Sequence, residues 1–577
     1  MAACDVVLVG YEDEENLGLR SLAAYLAQAG VTVDLAPYRA GVRRDLLAYL
    51  RARRPRLVGF SLIFQGMLPD FADLVAYLRA NGVAAHFTMG GHFPSLAWAR
   101  TLALVPGLDT VVRHEGEVTL LELVRALDRP ARWREIPGLA FRDRGLPIAT
   151  PPRPLVPDLD ALPFPLRRRE TLAARDVGIA SLAASRGCHY DCSFCSVQTF
   201  YGEPPGPRRR TRSPGNVADE MQVLHEAKGV RVFIFKDDDL ATRGPRARAW
   251  IEAFARELEA RGLGRRIAWR ISCRVDDLDA DLLRRLRGVG LTWVYLGIES
   301  GSEQGLRTCN KRFTVDDVRR GVALLRRLRL AFDYGFMLLD PDSTFASVRE
   351  SVGFLEDLGR RGDASVHFTK MFPYVGTAIA ARLAAEGRLA GTDAAPDYAF
   401  RDPRLDLLQG FLSEAFHERN FGPDGLVSAS RMAAFDLELA TRFGGAGAGT
   451  RAYHAALRHL TARGNALAIA AVRRALDVLE ARSVDGCLAA WPGLLELARV
   501  AREADLDLAR RLRGVMEANG HDAPRPRLLL SAPRRAPRPA RPDRPGSLAP
   551  RPRASRASAR ARRGTGAGAR RGAGWRG

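Results

Sequence analysis

Apolar positions along this chain keep a βα rhythm for about two thirds of its length and a helical rhythm alone thereafter. Short apolar runs at 5–10, 31–35, 57–64, 84–90 and 109–112 read as strands. Between them, residues 17–29, 43–54, 71–81, 95–104 and 119–127 space their apolar side chains as amphipathic helices do. Such alternation predicts a doubly wound, Rossmann-like parallel sheet over 1–150, with ligands at the carboxyl ends of its strands. Prolines mark an extended linker over 151–176, centred on Asp158-Leu-Asp-Ala-Leu-Pro-Phe-Pro165. A second α/β series follows over 177–390, with strands at 177–184, 230–235, 267–273, 292–298, 332–338 and 365–372. Six βα units suit a partial (β/α)6 barrel whose chemistry gathers where the strands end. The C-terminal region, 391–520, is expected to be helical at 405–416, 428–442, 452–463, 466–480 and 494–519, forming a cap over the barrel mouth.

Composition changes this picture in two places. The net charge of +22 suggests a nucleic-acid partner until its distribution is read, since residues 521–577 hold sixteen arginines against Asp522 and Asp543. That Arg-, Pro-, Ala- and Gly-rich tail is expected to be disordered, because it has too little apolar surface to offset the entropy of ordering. Nucleic acid is therefore not an expected partner, and RNA modification is only a third reading. No apolar run approaches the roughly twenty residues that span a bilayer, and the N-terminus lacks a basic leader, so a cytoplasmic protein without membrane contact is expected. Seven cysteines are too few for a disulfide scaffold at 577 residues, and three of them are clustered.

Those three stand in Ser185-Arg-Gly-Cys188-His-Tyr-Asp-Cys192-Ser-Phe-Cys195. The CxxxCxxC spacing supplies Cys188, Cys192 and Cys195 to one [4Fe–4S] cube and leaves the fourth iron without a protein ligand, which points to catalysis rather than simple electron transfer. A zinc knot is the competing reading. Zinc takes four ligands, no other cysteine lies within about seventy residues, and His189 is awkwardly adjacent to Cys188.

The spacing, Arg186-Gly187 before it and Phe194 within it resemble the radical S-adenosylmethionine (radical SAM) enzymes, in which the open iron chelates the amine and carboxylate of SAM. The resemblance implies a SAM-binding set comprising Phe194, Asp238, Asp239, Ser272, Arg274, Glu299 and Ser300. Asp238 and Asp239 would accept from the methionyl amine, standing where many relatives have Gly-Gly-Glu; Arg274 would pair with the carboxylate and Glu299 with ribose hydroxyls. Asp340 and Asp342 read as turn formers, and Tyr334 and Tyr374 as packed aromatics.

Upstream, Ser61, the run Met89-Gly90-Gly91-His92-Phe93-Pro94-Ser95 and the run His114-Glu115-Gly116-Glu117 close three of the expected strands. With Glu15-Asn16-Leu17-Gly18-Leu19-Arg20 they resemble the cobalamin-binding domain fused in front of many radical SAM enzymes. Ser61, Gly90, Gly91, His92, Glu115 and Gly116 are the implied cobalamin contacts. None of the ten histidines has the Asp-x-His-x-x-Gly context of a cobalt-ligating histidine, so cobalamin without that ligand is expected, the alternative being a flavodoxin-like domain that has lost its ligand.

Together the resemblances imply a cobalamin-dependent radical SAM methyltransferase. A reduced cluster would cleave SAM to a 5′-deoxyadenosyl radical, the substrate radical would take a methyl group from methylcobalamin, and a second SAM would restore it. Expected partners are a small-molecule or peptide substrate and a reductant such as flavodoxin or ferredoxin. Cyclisation, ring contraction or oxidation with the same cofactors is the alternative.

Overall fold

β1 (Val6–Gly10), β2 (Val33–Pro37), β3 (Leu57–Ser61), β4 (His86–Gly90) and β5 (Thr110–Val112) form a parallel sheet in the order β2-β1-β3-β4-β5. The computed structural model describes residues 4–12, 15–39, 41–168, 171–445, 447–521 and 525–527. All five residues of β1 are buried, as a strand covered by helices on both faces requires. Phe60, Phe71 and Phe87 fill one face; Leu19, Leu123 and Leu139 fill the other. This strand order reverses direction between β1 and β3, so a ligand belongs in the crevice beyond Gly10 and Ser61.

Two local features depart from the apolar pattern. The helix expected at 95–104 is broken into His92–Leu96 and Trp98–Leu104. β6 (Leu139–Asp143) and β7 (Leu146–Ala149) add an antiparallel hairpin, turned by Arg144 and Gly145 at φ 49° and 85°.

β8 (Thr171–Ala174) and β9 (Val177–Leu182) open the second sheet as a hairpin, so its first strand begins within the expected linker. The short ladder of β10 (Ser185–Arg186) with β11 (Arg210–Thr211) brackets the loop that carries the three cysteines. β12 (Val230–Phe235), β13 (Ala268–Arg274), β14 (Leu291–Glu299) and β15 (Ala331–Phe336) then continue parallel to β9. β16 (Leu389–Gly391) and β17 (Pro396–Tyr398) make a small hairpin. β18 (Arg525–Arg527) pairs with β8. These three residues of the expected disordered tail are therefore in a sheet, while 522–524 and 528–577 lie outside the described residues.

The sixth barrel strand expected at 365–372 is corrected to an extended segment with one isolated bridge, Leu339 to Lys370. Side chains take its backbone groups instead. Asn465 Oδ1 accepts from Val366 N at 3.0 Å, Arg419 Nε donates to Val366 O at 2.9 Å, and Asn420 Nδ2 donates to Phe368 O at 2.7 Å. A segment satisfied this way needs no strand ladder.

Helices Arg404–Phe421, Leu426–Leu439, Ala448–Glu480 and Val484–Ala518 form the C-terminal region. The two helices expected at 452–463 and 466–480 are one. Gly464 does not break it, because a β-carbon there would collide with Leu426, so the glycine serves a close helix crossing.

The expectation of a cap over the barrel mouth is also corrected. Phe435, Leu439 and Phe443 pack on Val177, Ile179, Val232 and Ala268, at the amino ends of β9, β12 and β13. Arg431 pairs with Asp333 at 2.7 Å, and Arg442 donates to Gly264 O and Ile267 O. The helices floor the barrel, and the N-terminal domain stands over its mouth. Among the described residues no helix is long and apolar enough to cross a membrane.

Candidate cofactor and active site

The cysteine loop leaves β9 under tight control. Asp237 accepts from Ala184 N at 3.1 Å and from Ser185 Oγ. Gly187 sits at φ 80° with the Arg208 carbonyl where a β-carbon would go, so no other residue fits. Beyond it, Asn310 Nδ2 donates to Asp191 O at 3.0 Å, Ser193 N to Cys309 O at 3.1 Å, and Ile379 N to Ser193 O at 3.0 Å. Cys192 is buried; Cys188 and Cys195 are half-buried, and all three are free thiols. Burial pushes Cys188 up to about 11 and Cys195 up to about 12, with the neighbouring cysteines adding to both. Thiols such as Cys188 and Cys195 that resist ionisation alone are suited to a cationic centre that holds them as thiolates. Among the described residues no three His, Cys, Asp or Glu side chains gather as ligands of a single ion do.

Cations flank this loop. Arg274 Nη1 donates to Cys192 Sγ at 3.3 Å, while its Nε and Nη2 hold Asp276 and its Nη2 also reaches the Lys311 carbonyl. The Arg274 guanidinium also lies 3.8 Å from the Tyr190 ring centroid. So engaged, Arg274 faces the Cys192 sulfur. Lys311, 3 % exposed, pairs with Glu299 at 3.1 Å and lies over the Phe194 ring at 5.5 Å. No sequence signal marks Lys311, because its importance comes from the loop that returns it to the barrel mouth.

The other expected SAM residues divide. Glu299 turns its carboxylate into the lumen through a left-handed backbone, φ 69°, and Ser272 lies on the inner face of β13. Ser300 is buried against the turn that starts helix Glu303–Thr308, with Ser302 N donating to its Oγ at 3.3 Å. Asp238 lies beside the cysteine loop, accessible to water yet walled by protein. That enclosure, then the adjacent Asp237, pushes its carboxyl up to about 6. Asp239 is 1 % exposed, its carboxyl oxygens accept no hydrogen bond among the described residues, and it lies beside Asp277, which accepts from Tyr190 Oη at 2.8 Å. Burial and then Asp277 raise Asp239 well above the usual carboxylate range, so it holds the proton that two facing carboxyls must share. The expected turn and packing roles have direct counterparts: Asp342 N donates to Asp340 Oδ1 at 2.8 Å, and buried Tyr334 donates to Ser365 O at 2.9 Å.

On the N-terminal side the glycines bring strand ends together. A β-carbon on Gly91, φ 121°, would fall on the Leu62 carbonyl, one on Gly10 would stand 2.6 Å from Leu19 Cδ1, and one on Gly90 3.2 Å from Val112 O. This leaves the ends of β1, β3 and β4 slim beside Ser61. Ile63 and Phe64, 40 % and 55 % exposed, project from the same loop and offer the apolar surface that a corrin face would cover. The residues present therefore fit cobalamin. His92 stacks on Phe200, centroids 4.2 Å apart and 6° from parallel, and burial lowers it to about 4. His114 Nδ1 lies 2.9 Å from Phe200 O and its Nε2 3.4 Å from Glu203. Both rings thus address the segment just after the cysteine loop. Gly116 packs closely on Leu22.

Glu115, expected as a cobalamin contact, clamps the two domains. It accepts from Arg210 Nη1 and Nη2 at 2.9 and 3.0 Å, from Arg186 Nη1 at 2.9 Å and from Val156 N at 2.9 Å. Arg186, two residues before Cys188, also reaches Glu117 at 2.6 Å. A second clamp runs from Glu15 through Arg167 to Glu220, each pair at 2.7 Å.

The fold and site thus define a class: a doubly wound ligand-binding domain clamped over a partial barrel whose first loop presents three thiolates. The family model for the B12 binding domain matches residues 3–124, and that for the Radical SAM superfamily matches 182–355. An uncharacterized methyltransferase of Pyrococcus horikoshii is 29 % identical over 341 residues, 58 % of this chain and 71 % of its own. The anaerobic magnesium-protoporphyrin IX monomethyl ester cyclase of Cereibacter sphaeroides is 30 % identical over 46 % of this chain but only 43 % of its own. The hopanoid C-3 methylase of Methylococcus capsulatus is 29 % identical over 57 % and 61 % respectively. Except for the first of these, the chain spans less than two thirds of each relative.

Among solved structures, the cobalamin-dependent S-adenosylmethionine radical enzyme OxsB, with aqua-cobalamin and S-adenosylmethionine bound, superposes with a TM-score of 0.64 over 89 % of this chain and 81 % of its own, at 16 % identity. TsrM from Kitasatospora setae gives 0.55 over 67 % and 75 %, at 21 %. These two likenesses speak for the fold. The chain thus carries a B12-binding domain followed by a Radical SAM superfamily domain, the pairing of cobalamin-dependent radical SAM enzymes.

Proposed function

We propose that this enzyme is a methyltransferase that uses cobalamin and SAM to methylate an unactivated carbon of a small-molecule or peptide substrate. One observation carries the reading: the loop with Cys188, Cys192 and Cys195 is fastened by Arg186 and Phe200 directly onto the strand-end loops of the B12-binding domain. Two cofactor sites so joined let a radical made at one be quenched at the other without leaving the protein. The relatives named as methyltransferases or methylases support it.

In this proposal Cys188, Cys192 and Cys195 hold a [4Fe–4S] cluster, which supplies radical chemistry when SAM is bound. Arg274 lies beside the Cys192 thiolate, and Phe194, Asp238, Asp239, Ser272, Arg274, Glu299 and Ser300 remain the proposed SAM-binding residues, Glu299 through the carboxylate that also pairs with Lys311. Ser61, Gly90 and Gly91 line the cobalamin side. The domain limits proposed are 1–150, 177–390 and 391–520, with the β8–β9 hairpin reckoned to the barrel. A flavodoxin- or ferredoxin-type reductant and a cytoplasmic setting complete the proposal.

The test is anaerobic reconstitution with iron, sulfide and hydroxocobalamin, followed by incubation with SAM and reductant. S-adenosylhomocysteine together with 5′-deoxyadenosine and a methylated product is the expected outcome. Deoxyadenosine without methyl transfer would favour the cyclase-like alternative, and a protein that assembles the cluster but retains no cobalamin would overturn both. Cys192→Ala should abolish the cluster absorbance and SAM cleavage together.

A further inference from the structure

β13 alternates strictly. Trp269, Ile271 and Cys273 belong to the outer core, so Arg270, Ser272 and Arg274 face the barrel lumen. Strand register sets Arg270 beside Ile234 of β12 and Trp293 of β14, with Ser181 of β9 beside Ile234 in turn. Ser272 and Tyr295 pair in the layer above.

The charges around this layer are unevenly satisfied. Arg274 is held by Asp276, Lys311 and Glu299 form a pair at 3.1 Å, and Asp333 and Arg431 form another at 2.7 Å. Arg270 has no such counterpart. Among the described residues no acceptor bonds its guanidinium, and its Nε is buried and unpaired. The neighbouring Trp293, 8 % exposed, has an indole N–H that is also buried and unpaired. Two adjacent strands thus aim unsatisfied donors into one layer, one of them carrying a full charge. Such groups cost stability unless a ligand completes them.

We infer that this layer receives an anionic group of the substrate, a phosphate or a carboxylate, with Arg270 as its counter-ion and Trp293 Nε1–H as a second donor. The inference rests on the reading of the barrel as the place of reaction and adds the chemical class of what enters it. Arg270 lies four residues of strand, about 13 Å, below Arg274 at the cysteine loop. An anion there is separate from any carboxylate held at the thiolates. Phe435, Leu439 and Phe443 floor the barrel just beneath this half-buried arginine. A planar guanidinium flanked by an N–H donor matches the paired oxygens of either anion. Bound at its anionic end in this layer, the substrate directs its remaining length upward, to the mouth where the two cofactor sites meet.

The experiment uses the full chain and two probes, inorganic phosphate and propionate, titrated at constant ionic strength by calorimetry. Wild type is expected to bind at least one of them saturably. Arg270→Gln should weaken that binding at least tenfold, Arg270→Lys less because charge remains without the fork, and Trp293→Phe severalfold. Arg284→Gln, on an exposed helix, should bind as wild type. Preference for phosphate assigns a phosphorylated substrate, and preference for propionate a carboxylate. Absence of saturable binding by wild type, or equal binding by Arg270→Gln, overturns the inference; should Arg270→Gln misfold by circular dichroism, Trp293→Phe decides, and unchanged binding there refutes it. Cobalamin and cluster content, read by absorbance on the same samples, report separately on the methyltransferase reading.

Discussion

Exchanging Glu115 for Gln keeps the side chain's shape and removes its charge, which separates a clamp from a cofactor contact. The native carboxylate accepts four hydrogen bonds at 2.9 to 3.0 Å, three of them from the guanidinia of Arg186 and Arg210. Gln offers one acceptor oxygen and turns an N–H₂ towards the arginines. Arg186 keeps Glu117, and Arg210 keeps the Val156 carbonyl at 2.8 Å, so neither cation is wholly stranded. The cost then falls at the low end of the range for breaking a buried pair, about 3 kcal/mol. Hydrogen exchange by mass spectrometry should register this as local opening, with protection over 154–158 and 208–212 falling roughly a hundredfold.

The same clamp has a pH signature. Burial alone would raise Glu115, but Arg210 and Arg186 outweigh it and hold the carboxyl below its usual range. A depressed folded value means the contribution is present above the ordinary glutamate pKa of about 4.3 and is lost as pH falls through the folded value. Wild type and Glu115→Gln should therefore converge in acid. If exchange at the domain junction is unchanged at neutral pH while cobalamin affinity drops, Glu115 is a cofactor contact and the clamp argument fails.

Three further outcomes are expected. Gly91→Ala forces a β-carbon onto the Leu62 carbonyl at φ 121°, so thermal unfolding of the N-terminal domain should fall by the equivalent of about 2–3 kcal/mol, with cobalamin retention lost at the same time. Asn465→Ala deprives Val366 N, the Gly359 and Ala364 carbonyls and Arg419 of one shared partner, and urea titration should show about 3 kcal/mol of lost stability; a loss below about 1 kcal/mol would mean water replaces the amide. Burial pushes Glu438 up to about 7, and a carboxyl raised in the folded state favours folding in acid and loses that contribution as pH climbs from about 4.5 through 7. Glu438→Gln should accordingly stabilise the protein at pH 8 by about 1–2 kcal/mol and leave it unchanged at pH 4.5, read by thermal denaturation at both.

Much of this protein is legible from local pattern. The βα alternation yields both sheets because a strand buried on two faces must be apolar throughout, as β1 is. The cysteine loop is legible because ligand spacing is a property of a short stretch of chain. Glycines at 90 and 91 are legible as a strand end, since only glycine tolerates the Leu62 carbonyl there. Periodicity also located the C-terminal helices, although not their continuity through Gly464.

Tertiary structure decided what those elements face. Apolar spacing says that helix Leu426–Leu439 buries one side, but not that the side floors the barrel at Val177 and Ala268. Hydrogen-bonding partners far along the chain turned 365–372 from a strand into a segment held by Asn465 and Arg419. The same holds for charge. Glu115 and Arg274 look like free polar groups at strand ends, yet Arg186 with Arg210, and Asp276 with Cys192, already engage them. Arg270 looks like one arginine among many, yet among the described residues no acceptor bonds its guanidinium. By itself the sequence determined which atoms are available for chemistry, since that depends on residue type and local spacing; which of them remain available was settled only when distant partners met, because an ionic or hydrogen-bonding group is spent on whatever the fold brings within about 3 Å.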